Sequence, residues 1–125
     1  MKTESIRQRK IADQIKKALS QIIDRRLKDP RKGFITVTRV KVSGDLRIAN
    51  VYYTSLGDKE TQKNSQEALE SAKNFLRNEM APSLKVRYIP ELRFFYDESL
   101  EYSEHINKLI EKIHAKDGDK KADDN

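Results

Sequence analysis

The chain has 125 residues and no cysteine; 37% of its residues are charged, 36% are apolar, and its net charge is +6. That size holds one domain with a modest core, the absent cysteines exclude disulfides and thiolate-held metals, and no apolar run approaches the roughly 18 residues of a membrane span. A basic chain with clustered Lys and Arg favours a polyanionic partner, nucleic acid ahead of an acidic membrane surface. The opening Met1-Lys2-Thr3-Glu4-Ser5 lacks the apolar stretch of a secretory leader, so a cytoplasmic location is expected.

Ser5-Ile6-Arg7-Gln8 has the form of a capping box, with Ser5 and Gln8 as reciprocal caps. Ile11, Ile15, Ala18, Leu19, Ile22 and Ile23 then recur at helical spacing, which predicts a helix ending near Lys28. Asp29 precedes Pro30, which disfavours helical backbone there, and Gly33 supplies a joint. Phe34 to Val42 reads as a strand whose apolar set changes parity between Ile35/Val37 and Val40/Val42, so a bulge is expected near Thr38-Arg39. Ser43-Gly44-Asp45 is turn chemistry, and Leu46 to Leu56 completes a hairpin closed by Gly57-Asp58.

From about Thr61 to Met80 the period is helical again, with Ala68, Leu69, Ala72, Phe75 and Leu76 inward, and Ala81-Pro82-Ser83 stops it. Leu84 to Asp97 reads as a third strand in which Pro90 implies an edge or a bulge. Within it Leu92, Phe94 and Tyr96 share one face, while Arg93 and Phe95 share the other. A last helix is expected from Ser99 to His114, with Tyr102, Ile106, Leu109, Ile110 and Ile113 as its apolar set. The order predicts an α+β two-layer sandwich, a three-stranded sheet with helices on one face, spanning residues 5–115. Residues 116–125 are expected to be a disordered polar tail.

The charge is lopsided. Through Lys32 there are eleven basic and four acidic residues, a surplus of +7, so the rest of the chain nets −1. Lys10, Lys17 and Lys28, spaced by seven and eleven, stack on one helical stripe opposite the isoleucines. Gln14 and Gln21 lie near that stripe, and Arg31 and Lys32 extend the charge into the turn. The same positions also suit a solvated helix face with Asp13–Lys17 and Asp24–Lys28 pairs.

The first helix, Asp29-Pro30-Arg31, Thr36-Val37-Thr38, Val42-Ser43-Gly44-Asp45-Leu46, Ala49-Asn50-Val51-Tyr52 and Pro90 to Asp97 together resemble the bacterial ribosome-binding factor A family, from about Arg7 to Ile110. The resemblance implies a type II KH-like domain that binds the maturing small (30S) ribosomal subunit, assists late 16S rRNA processing and supports growth in the cold. It implies a ribosome-associated GTPase as a releasing partner, no catalysis and no cofactor; monomer is the default state.

KH domains clamp single strands with a GxxG loop, and this chain, with glycines only at 33, 44, 57 and 118, has none. The family instead kinks its second helix at an Ala-x-Gly step, matched here by Ala72-Lys73-Asn74. Asn tolerates left-handed backbone, so Asn74 is expected at positive φ or at the end of a helical segment. RNA contacts are therefore assigned to Arg7, Lys10, Lys17, Lys28, Arg31 and Lys32, and around the kink to Lys73, Asn74 and Arg77. A GxxG-less binder of single-stranded RNA is the alternative.

The third-strand aromatics read first as core packing, since one face must bury against the helices; of them Phe95 and Tyr88 come nearest to stacking platforms for unpaired bases. His105 and His114 are half a turn out of phase and form no HExxH-like metal pair. Asp97-Glu98 suits a helix cap better than a catalytic carboxylate pair. A metal-dependent nuclease would have only scattered Asp and Glu to draw on, and neither metal nor catalytic residue is assigned.

Overall fold

A computed structural model describes residues 4–99 and 109–113. The elements run α1 (Ile6–Arg25), β1 (Ile35–Val42), β2 (Ile48–Ser55), α2 (Lys59–Ser71), α3 (Lys73–Met80) and β3 (Glu91–Tyr96), with 3-10 turns at Pro30–Lys32 and Ala81–Ser83. The sheet order is β1-β2-β3; β1 pairs antiparallel with β2, and β3 pairs parallel with β2.

The Ser5/Gln8 capping box forms, and the Gln8 side-chain amide also donates to the Val42 carbonyl at 2.9 Å, fixing the start of α1 to the end of β1. At its other end α1 stops at Arg25, short of Lys28. The Arg26 and Leu27 amides both donate to the Ile22 carbonyl, a widened turn that delivers Leu27 to the core. Lys32 Nζ then reaches back to the carbonyls of Ile23 (2.6 Å) and Asp24 (3.4 Å), placing a cation at the negative end of the helix. Asp29 is extended and caps the turn by accepting from the Arg31 amide, and Gly33 leaves it at φ 59°, ψ −141°, a conformation open to glycine.

The expected bulge is present. Val37 faces Tyr53 and Arg39 faces Tyr52, leaving Thr38 over, so Val37 and Val40 both turn inward. In the hairpin, Leu46 adopts φ 62° and belongs to the turn rather than to β2. Asp45 accepts from the Ser43 hydroxyl and the Arg47 amide, which holds that turn.

The second helix is broken, as expected, at a different residue. Ala72 (φ −94°, ψ 3°) separates α2 from α3, while Asn74 lies inside α3 and has no positive φ. The break resets the helical phase. Leu76 and Met80 go inward, and Phe75, expected in the core, is 39% exposed. The third strand is shorter than Leu84 to Asp97. Residues 84–90 are irregular, and β3 starts after Pro90, which cannot donate to a ladder.

Ile15, Leu19 and Ile23 of α1, Leu69 and Leu76, and the inward residues Val37, Val51, Tyr53, Leu92 and Phe94 of the sheet form one core. Tyr53 meets Phe94 and Tyr96 edge-on, with its phenol pushed up to about 12 by burial. Of the expected last helix, residues 98–99 and 109–113 are helical, and Leu109, Ile110 and Ile113 are exposed. Its other residues, including His105 and His114, and the tail at 116–125 lie outside the described residues.

Candidate nucleic-acid interface

The core-facing residues of α1 leave its opposite side to solvent, and Arg7, Lys10, Gln14, Lys17 and Gln21 are exposed there. Among the described residues neither Asp13–Lys17 nor Asp24–Lys28 approaches ion-pair distance. Lys10 and Lys17 thus present charge that no carboxylate among the described residues offsets in an ion pair. Lys28 is exposed too, but it stands beyond the end of α1 and so leaves the helical stripe it was expected to continue.

The other assigned cations have intramolecular work. Arg31 forms a fork with Asp29 (Nη2 to Oδ2 2.7 Å), lies 3.9 Å from Glu67, and also donates to Ser71 Oγ at 3.3 Å. The Arg31 hydrogen bonds hold the Asp29 carboxyl below the usual carboxylate range. Lys32 caps α1. Lys73 pairs with Glu70 at 2.7 Å. Arg77 donates from Nε to the Pro90 carbonyl (3.1 Å) and from Nη2 to the Ile89 carbonyl (2.9 Å), pinning the segment before β3. Asn74 is exposed. Around the break, then, Asn74 points to solvent while its neighbours Lys73 and Arg77 serve the fold.

Two surfaces gather residues that the sequence named only in part, Phe95 in one and Tyr88 in the other. On the face of the sheet opposite α1, α2 and α3 the register lines up Arg39, Tyr52 and Phe95 across three strands. The Arg39 guanidinium lies 4.2 Å from the Tyr52 ring centre, and the Tyr52 and Phe95 rings are 5.6 Å apart. At the hairpin end, Arg47 and Arg87 both approach the ring of Tyr88, which is 53% exposed. Period-two alternation could have placed Arg39, Tyr52 and Phe95 on one face, but only the bulge-corrected register sets them in one row.

Asp97 closes β3. Its amide donates to the Tyr53 carbonyl, its Oδ1 accepts from the Ser99 amide and hydroxyl, and its Oδ2 accepts from the Thr38 hydroxyl at the bulge at 2.5 Å. The Ser99 and Thr38 hydroxyls hold its carboxyl low, in that order. This is a cap and a latch between strands. Among the described residues no three His, Cys, Asp or Glu side chains group as metal ligands, and no helix is long and apolar enough to cross a membrane.

The model of the ribosome-binding factor A family matches residues 7–110. The chain belongs to this family. Ribosome-binding factor A of Macrococcus caseolyticus is 43% identical over 109 residues, which is 87% of this chain and 96% of the relative. The crystal structure of ribosome-binding factor A from Thermus thermophilus superposes with a TM-score of 0.63 at 28% identity, over 71% of this chain and 94% of that one. A Thermus thermophilus ribosome-binding factor A homology model, fitted into a cryo-EM map of its complex with the 30S subunit, gives 0.59 at 29% identity, over 70% and 91%. The family is one of ribosome-binding factors, and its fold, shared here, is KH-like.

Proposed function

We propose that this protein binds the immature 30S subunit through the outward face of α1 and assists late maturation of 16S rRNA, including in the cold. The observation that carries the reading is the exposed Lys10–Lys17 face, free of ion pairs among the described residues, on a chain of a ribosome-binding family. The Thermus relative's 30S complex supports the same partner. The RNA-binding unit is residues 5–115, with 116–125 as a polar tail. Arg7 and Lys28 extend the contact at either end of α1, and Asn74 adds a donor at the helix break. Arg31, Lys32, Lys73 and Arg77 contribute mainly by holding the backbone that presents the others.

The mechanism is conformational. Binding energy favours one arrangement of unfinished rRNA over others, and no covalent bond is made or broken. The protein acts as a monomer, and a ribosome-associated GTPase releases it. Phosphate contacts set the affinity, so log K falls with log salt by roughly 0.7–0.9 per phosphate neutralised. The test is co-sedimentation with immature small subunits at two ionic strengths. Lys10→Glu with Lys17→Glu is expected to weaken binding sharply in dilute buffer and to flatten the salt slope by roughly two phosphates' worth. Wild-type affinity in that double variant would remove α1 from the interface.

A further inference from the structure

We propose that the cleft at the hairpin end of the molecule is a pocket for one unpaired nucleotide of RNA, its phosphate held by Arg7, Arg47 and Arg87 and its base stacked on Tyr88. The proposal rests on the proposed function in taking the polyanion to be RNA, and adds a site that reads strandedness.

The cleft is built from three separated parts of the chain. Arg7 comes from the first turn of α1, Arg47 from the residue before β2, and Arg87 and Tyr88 from the irregular segment before β3; Asp45 and Leu46 complete the wall. Each part is anchored by its own hydrogen bonds. Gln8 ties the first turn of α1 to Val42, the Arg47 carbonyl accepts from the Glu91 amide at 2.8 Å, and Arg77 clamps Ile89 and Pro90. The guanidiniums of Arg47 and Arg87 lie 4.9 Å and 5.5 Å from the Tyr88 ring centre.

The electrostatics ask for an anion. Among the described residues none of the three arginines is in an ion pair. The one carboxylate in the wall, Asp45, is held low first by the Ser43 hydroxyl, then by the Arg47 amide, with a smaller pull from the Arg47 charge, and forms no ion pair with it. Three like charges lining one cleft repel, and an entering phosphate relieves that repulsion while matching the guanidinium fork. Tyr88 selects the group attached to that phosphate. In the unbound protein both guanidiniums lie over the half-exposed Tyr88 ring; as they turn to the phosphate, the face they leave takes a base that has left its stack, whereas a base inside a duplex has no free face to give. Arg7 lies one turn from Lys10, so the pocket terminates the α1 phosphate track, a helix about 30 Å long by its rise per residue.

The test uses the full chain and a fluorescein-labelled single-stranded RNA of about ten nucleotides, beside a duplex of equal length, read by fluorescence anisotropy at low salt. Tyr88→Leu is expected to weaken single-strand binding about 5- to 160-fold, the range for one stacked base, and to leave duplex binding unchanged. Tyr88→Phe keeps the π-face and should bind as wild type. Arg87→Ser should weaken single-strand binding as well, and circular dichroism of each variant confirms the fold. Wild-type single-strand affinity in Tyr88→Leu, equal loss in Tyr88→Leu and Tyr88→Phe, or equal losses on single strand and duplex would each overturn the pocket. Small-subunit co-sedimentation of the unmodified chain separates the two readings. If it fails while the Tyr88 effect persists, the subunit reading falls and the pocket stands; if it succeeds without a Tyr88 effect, the pocket alone falls.

Discussion

Ser55 is 6% exposed, and its hydroxyl finds no hydrogen-bond partner among the described residues. A buried hydroxyl left unpaired has lost its water and gained nothing in return. Ser55→Ala is therefore expected to raise stability by about 1 kcal/mol, seen as a higher urea midpoint at unchanged slope. Ser65, buried still more deeply, donates to the Lys32 carbonyl at 2.7 Å and should lose stability on the same change. Lys32 illustrates how an exposed-looking cation can be structural. Its ammonium sits on the last carbonyls of α1, so Lys32→Met is expected to cost about 1 kcal/mol and to lower amide-exchange protection in the last turn of that helix. A sequence shows the charge of Lys32 and Arg77 but not their backbone partners, which is why both read there as ligand contacts.

At the scale of elements, the latch from Asp97 to Thr38 joins the end of β3 to the bulge of β1 across the intervening strand. The folded-state pKa of Asp97 lies below that of the unfolded chain. Its ionised carboxylate therefore adds stability in full above the ordinary carboxylate range, and that stability is lost as pH falls through the lowered value. Asp97→Asn is expected to be less stable than wild type at neutral pH, with the gap closing in acid; urea melts across pH check this.

The hairpin, its bulge, the capping box and the inward face of α1 were legible because each is written in a local period or a local cap. The onset of β3 and the outward turn of Phe75 were not. The first is set at Pro90, with Arg77 holding the Ile89 and Pro90 carbonyls before it, and the second by a helical phase reset at Ala72 rather than at Asn74. The Arg–Tyr cleft was hidden for the same reason, since Arg7, Arg47 and Arg87 meet only through the topology.

Seen whole, the molecule gathers α1, α2, α3 and the inward sides of its strands into one core and leaves the Arg39–Tyr52–Phe95 row on the other side of the sheet. The middle strand has very different neighbours in time. β1 lies a short turn away along the chain, while β3 arrives only after α2 and α3 have been traversed. Closing that longer loop carries more entropy than closing the hairpin, so the two halves of the sheet should form in sequence. Stopped-flow refolding is expected to place Val40→Ala early in the transition state and Leu92→Ala late, and equal values at both sites would contradict that order. During synthesis, the nascent polypeptide therefore carries an unfinished edge along β2 until translation has passed Tyr96, and the final strand docks onto a hairpin already waiting for it.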